Sequence, residues 1–200
     1  MLLCFWPLVH LLPQRPRNNH SFCLFWIMSL PPLLNKLTGG DRRQIGRSEQ
    51  VATDVKLNPE LFPILFSGLT CSDSLVRMRS ADAAEKVTRQ NTGLLKPHKS
   101  ALLRILETSA EQEVCWHVAA MVPRLRLTVE ERKRVFVVLK SYLTAGSRIQ
   151  RVMALQGLVD LTDQGNEIRR QVVYLVKQAL DSDAPSVRAR ARKYMRKFNL

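Results

Sequence analysis

Apolar residues recur along this chain on two scales. At short range they follow helical spacing: Val76, Ser80, Ala83, Ala84 and Val87 sit at offsets of 4, 7, 8 and 11, one face of a helix. The small residues among them mark where a neighbour must come close. At long range the pattern steps by 37 residues. Leu65 recurs as Leu102, Leu139 and Val176; Leu69 as Leu106, Leu143 and Leu180; Ile64 as Ala101, Val138 and Leu175. The helices that follow carry the same period, with Val87, Leu125, Leu161 and Phe198 in register. Val76, Val114 and Val187 share one position, and Gln150 occupies it in the third unit.

A unit of this length holds two amphipathic helices and leaves one apolar face uncovered, so neighbouring units must stack to bury it. The pattern predicts an all-α protein: a right-handed α-solenoid of about four helical hairpins at 59–90, 94–125, 129–161 and 167–198. The first helices are expected at about Pro59–Leu69, Lys96–Thr108, Val129–Leu143 and Glu167–Leu180. The second helices are expected at about Ser74–Gln90, Glu113–Leu125, Arg148–Leu161 and Pro185–Phe198. Start signals agree: Asn58-Pro59, Thr128 with Glu131 as a capping box, and Ala184-Pro185. Ahead of the repeat domain (59–200), residues 28–58 read as an entry segment. Its amphipathic capping helix over Asp41–Leu57 carries Ile45, Val51 and Val55.

Residues 1–27 do not share the period. They hold an apolar run from Met1 to Leu12, then Pro-Gln-Arg-Pro-Arg, then a second apolar patch from Phe22 to Ile27. No Lys or Arg precedes the first run, Pro7 interrupts it, and no Ala-x-Ala follows, unlike a signal peptide. The run is also too short to span a bilayer. The expectation is a disordered or loosely helical extension upstream of a chain that starts at Met28, with a crude signal or membrane-surface segment as the alternative. No integral membrane insertion and a cytoplasmic location are expected.

Composition adds a charge. Lys and Arg outnumber Asp and Glu 31 to 17, a formal net charge of +14 that attracts polyanions and acidic partners. The cysteines at 4, 23, 71 and 115 show no CxxC spacing, so neither a zinc site nor a disulfide framework is indicated.

Asp73-x-x-Val76-Arg77 and Asp183-x-x-x-Val187-Arg188, the first followed by Ser80, Ala83 and Ala84, resemble the signature of HEAT repeats. The resemblance covers residues 59–200 and extends to small bacterial HEAT-repeat proteins of unassigned role. It implies that the recurring Arg (Arg77, Arg151, Arg188) pairs with a turn Asp and ties repeats together. It also implies a binding surface along the inner helices. Unit two departs with Cys115 at the Arg position, and unit three with Gln150 for Val and no Asp in its turn.

Two features mark a candidate surface. Trp116 is the single Trp of the repeat region and lies on an inner helix. Arg188, Arg190, Arg192, Lys193, Arg196 and Lys197 crowd the last helix with no acid after Asp183. The expected apolar face of that helix is Val187, Ala191, Met195 and Phe198, with Tyr194 at its edge. A second cluster, Arg124, Arg126, Arg132, Lys133 and Arg134, reads as an ordinary solvated face because Glu130 and Glu131 interleave it.

Enzyme chemistry finds little support. Cys115 and His117 point to different sides of a helix, and His98 aligns with the repeat-interface positions Leu61, Val135 and Val172. No HExxH, GxSxG, P-loop or dinucleotide-binding glycine pattern occurs. HEAT-like alkylpurine DNA glycosylases use Trp and Asp on inner helices to hold damaged DNA. Trp116 is similar, but Ala120 stands one turn on where an Asp would support the comparison, so a glycosylase-like role is a remote part of the nucleic-acid alternative. The expected function is a non-enzymatic scaffold that binds a protein partner through its inner-helix surface. Trp116, Arg151, Arg188, Arg190, Arg192, Lys193, Arg196 and Lys197 are its candidate residues. Nucleic-acid binding through the basic helices is the alternative. No cofactor or metal is expected.

Overall fold

The computed structural model describes residues 30–199 apart from Arg42; the expectations for residues 1–27, with Cys4 and Cys23, lie outside them. The described chain is helical. After one turn, α1 (Pro32–Asn35), come α2 (Ser48–Leu57), α3 (Phe62–Ser67), α4 (Ser74–Thr88), α5 (Lys99–Thr108) and α6 (Gln112–Met121). Then follow α7 (Val129–Tyr142), α8 (Arg148–Leu161), α9 (Arg169–Gln178) and α10 (Pro185–Lys197).

The helices form two layers. In the inner layer α2, α4, α6, α8 and α10 pack each against the next. In the outer layer α3, α5, α7 and α9 each cover the inner helix of their own hairpin. This is an α-solenoid. The 37-residue seam lies between the layers: Leu65, Leu102, Leu139 and Val176 are all fully buried, and Leu69 and Leu106 nearly so. Leu143 and Leu180 at the same positions are only half-buried, so the seam loosens towards its last hairpins.

Close approach fixes the stacking distance at two glycines. A Cβ on Gly157 of α8 would lie 2.7 Å from the Ala119 carbonyl of α6. One on Gly68 would collide with the Ser80 side chain of α4. A side chain at either site would force the helices apart.

Capping follows the sequence signals where a side chain supplies them. Thr128 and Glu131 form a complete capping box on α7. Asp73 accepts the Leu75 amide at 2.8 Å at the start of α4, and Ser147 accepts the Gln150 amide at the start of α8.

Proline accounts for several departures. The first outer helix opens as a 3-10 turn, Pro59–Leu61, and only then becomes α3. The second outer helix is 3-10 from Thr92 to His98, through Pro97. The second inner helix ends its α segment at Met121, because Pro123 has no amide to donate; Val122–Arg124 is 3-10.

The capping helix starts at Ser48, not at Asp41. The described residues between α1 and α2 form a loop whose Gly39, Gly40 and Gly46 have φ of 69°, 81° and 55°. These left-handed values stop helix propagation. Ile45, expected on the buried face of that helix, is instead 50% exposed on the loop. On α10, Tyr194 takes the buried position and Met195 the half-buried one, reversing the expected order. The Tyr194 hydroxyl reaches Gln156 of α8, a partner that Met195 would lack.

Candidate binding groove

The recurring Arg positions build the turns. The Arg77 guanidinium donates to the carbonyls of Cys71 and Ser72 in its own turn and pairs with Glu111 in the next. Arg188 donates to the Ser182 carbonyl at 2.6 Å and the Asp183 carbonyl at 3.2 Å. Arg151 pairs with Asp183 at 2.5 Å, bridging the last two hairpins. In unit two the Cys115 thiol donates to the Ser109 carbonyl at 3.2 Å, six residues back, as Arg77 and Arg188 do. A thiol keeps that clasp but cannot reach the next turn.

On the inner surface, further cations join neighbouring hairpins. Arg124 donates to the Glu85 carbonyl and the Thr88 hydroxyl, both at 2.8 Å, and pairs with the Glu85 carboxylate. Burial alone would raise the Glu85 pKa; the hydrogen bonds from Arg89 and Arg124 outweigh it and hold the group below the usual carboxylate range. Arg190 donates to Gln156 at 2.7 Å, and Lys197 pairs with Asp163 at 2.9 Å. Arg132 is buried against Glu167 and the Leu127 carbonyl. Arg134 pairs with Glu107 of the preceding hairpin at 2.6 Å, so the cluster read as a solvated face contains three inter-hairpin ties, Arg124, Arg132 and Arg134.

At the N-terminal end of the groove, the loop between α1 and α2 folds over α4 and is held by Arg79, which is 2% exposed. Its guanidinium donates to the carbonyls of Leu37 (2.8 Å), Gly39 (2.6 Å), Asp41 (3.1 Å) and Gln44 (3.3 Å). No carboxylate takes part. The buried cation is solvated by backbone dipoles, which spares it an unpaired charge.

Beside this latch opens a cleft of about 430 Å³. Ile45, Met78 and the half-buried Trp116 form its apolar wall; Asp41, Asp82, Glu113 and His117 form its polar rim. Trp116 meets His117 edge-on, with ring centroids 5.8 Å apart. His117 Nε2 lies 3.9 Å from Asp82 Oδ1, and burial pushes its pKa down in spite of that carboxylate. Asp82 in turn accepts the Ser48 hydroxyl at 2.5 Å and the Lys86 ammonium at 2.8 Å. These engagements leave Asp82 a positioning anchor between α2, α4 and α6.

Among the candidate residues only Trp116 lines this cleft. Arg151 lines a different one, with Lys140, Asp183 and Val187. Arg188, Arg190 and Lys197 are held within the fold, whereas Arg192, Lys193 and Arg196 are exposed and their side chains make no hydrogen bond or ion pair with other described residues. The sequence reading missed Arg79, Asp82, Met78 and His117. Arg79 left a signal: it falls between Val76 and Ala83 on an apolar stripe, where a charge demands buried partners. Asp82 left none, because it comes beside His117 only through stacking. His98, placed at the repeat interface, stacks on Phe66 with centroids 4.2 Å apart. Among the described residues, no His, Cys, Asp and Glu group could hold a metal ion, and no helix is long and apolar enough to cross a membrane.

Neither a family model nor a curated protein matches the chain. Solved structures do. An engineered protein determined by the Northeast Structural Genomics Consortium matches with a TM-score of 0.57 at 20% identity, over 80% of this chain and 74% of that one. A designed armadillo repeat protein matches with a TM-score of 0.55 at 15% identity, over 86% and 82%. The fold is that of an armadillo/HEAT-type helical repeat solenoid.

Proposed function

We propose that the chain is a non-catalytic, cytoplasmic interaction scaffold whose inner-helix groove takes a segment of a protein partner, anchored at Trp116. The observation that carries this reading is the cleft beside Arg79. It joins a half-buried Trp, a Met and an exposed Ile to a polar rim at one end of a continuous helical surface. Aromatic anchors in such pockets dominate binding energy, and the rim excludes water around them. The side chain to be captured is apolar, because the wall it meets is apolar. Repeat solenoids present long surfaces of this kind. Selection of a random-peptide display library on the full chain tests the reading. Enriched peptides are expected to insert an apolar residue and to lose at least about tenfold in affinity on Trp116→Ala, about 1.4 kcal/mol or more. Enriched peptides that bind Trp116→Ala as well as the parent chain would remove the groove from consideration.

A second reading rests on Arg192, Lys193 and Arg196, the exposed cations of α10 that no described residue neutralises. They would contact phosphates of a nucleic acid, with affinity falling steeply as salt rises. The expected result is low-salt binding of generic duplex or single-stranded oligonucleotide that Arg192→Glu with Arg196→Glu weakens at least about tenfold. Binding indifferent to that double variant would exclude this helix as the contact.

A further inference from the structure

The outer face of the last two hairpins carries a pattern that the groove does not use. On α7, Lys133, Val137 and Lys140 stand at i, i+4 and i+7. On α9, 37 residues later, Arg170, Tyr174 and Lys177 repeat the arrangement. Residues at these offsets share one helix face and span about 10 Å along the axis. Each helix thus displays a cation, an apolar residue and a second cation in line.

The apolar members are among the most exposed large hydrophobic residues described: Val137 is 65% and Tyr174 62% exposed. Between the helices lies a cleft of about 580 Å³, lined by Phe136, Lys140, Arg170, Gln171, Tyr174, Leu175 and Gln178. No acid lines it. Gln178 donates to the Tyr174 hydroxyl at 3.0 Å and steadies the ring. All four cations are exposed, and none of their side chains makes an ion pair or hydrogen bond with another described residue. Glu167, which feels Lys133 at longer range, is already bound to Arg132.

We propose that this outer face, formed by α7 and α9, docks an acidic amphipathic helix of a protein partner. The face complements such a helix in both shape and charge. A central apolar cleft flanked by two cationic rims matches a helix with an apolar stripe between two acidic edges. Nucleic acid fits less well: a strand of bases calls for successive aromatic platforms, and Tyr174 is the single exposed ring of this face. The first two hairpins lack the pattern, since Pro63 and Ser100 stand where Val137 and Tyr174 do. The site is confined to units three and four and is independent of the Trp116 cleft.

Fluorescence anisotropy on the full chain tests this. The probe is a labelled peptide with leucines at alternating three- and four-residue spacing and glutamates on both sides of the stripe. The controls are a scrambled peptide of the same composition and a single-stranded oligonucleotide. The expected result is saturable binding of the amphipathic peptide and at least about tenfold weaker binding of the scrambled one. Tyr174→Ala and the double variant Arg170→Glu, Lys177→Glu should each weaken it at least about tenfold, while Trp116→Ala leaves it unchanged. These residues are exposed, so thermal melting of the variants should match the parent. The proposal is overturned by absence of binding, by equal binding of the scrambled peptide, or by dependence on Trp116 in place of Tyr174. Tighter binding of the oligonucleotide through the same residues would overturn it in favour of a nucleic-acid face.

Discussion

Leu106→Asp is expected to destabilise the protein by at least about 4 kcal/mol and to loosen two hairpins, not one. Leu106 is 1% exposed on α5. That helix packs on α6 within its hairpin and on α7 of the next, and the Tyr142 hydroxyl of α7 donates to the Leu106 carbonyl at 2.8 Å. Truncating a buried Leu to Ala costs about 2–5 kcal/mol. An aspartate at the same place adds the cost of a buried charge with no cation supplied. In a stack, each hairpin is stable only through its interfaces, so damage at a seam residue spreads to the neighbour that shares it. Urea denaturation gives the magnitude. Hydrogen exchange gives the extent: faster exchange is expected across both Lys99–Met121 and Val129–Tyr142. Acceleration confined to the first of these would show that the hairpins behave as independent units. Leu57→Gln is the control, since Leu57 is 76% exposed and an uncharged change at such a surface position stays within about 0.5 kcal/mol.

Arg79→Met should be the next most damaging substitution, at about 3 kcal/mol, with its consequences concentrated at the N-terminal end. The guanidinium satisfies carbonyls of Leu37, Gly39, Asp41 and Gln44 together. A charged donor bond contributes about 1.5–3 kcal/mol, and a buried acceptor left unmet costs about 1–3 kcal/mol. The full sum is not expected, because the loop can swing out and its carbonyls can then be hydrated. Methionine retains the volume, so the loss reports the hydrogen bonds and not a cavity. Arg79→Lys should fall between the two, because an ammonium is a compact charge that cannot span carbonyls as widely spaced as a guanidinium can. Exchange should accelerate over residues 37–48 while α7 to α10 stay protected. Because this loop carries Ile45 to the apolar wall of the Trp116 cleft, groove affinity should fall as well. Unchanged protection of residues 37–48 in Arg79→Met would mean that the glycine-rich loop holds its shape without the latch.

The two substitutions also mark how far sequence alone reaches. Leu106 was legible because burial in a repeat is periodic, and a period survives inspection of one chain. Its counterparts Leu69, Leu143 and Leu180 follow from counting. The helix starts at Thr128 and Pro185 were legible for a related reason: caps and prolines act within a few residues. The start of α2 was not, because the apolar spacing of Ile45, Val51 and Val55 mimics a helix that Gly46, at φ 55°, does not permit.

The basic residues show the opposite case. On paper Arg124, Arg190, Arg192 and Lys197 are equivalent cations. In the fold Arg124 grips Glu85, Arg190 grips Gln156, Lys197 grips Asp163, and Arg192 grips nothing described. Each of those pairs joins residues 34 to 39 positions apart, so each depends on how one hairpin is offset on the next. The same holds for Asp82 beside His117 and for the twin rows of α7 and α9. The chain by itself determined the helices, their 37-residue repeat and the stacking, because these follow from apolar spacing and local capping. Only the tertiary structure decided which charges are consumed as ties and which remain free, because that choice is made between hairpins, where a shift of a single helical turn would re-pair every side chain.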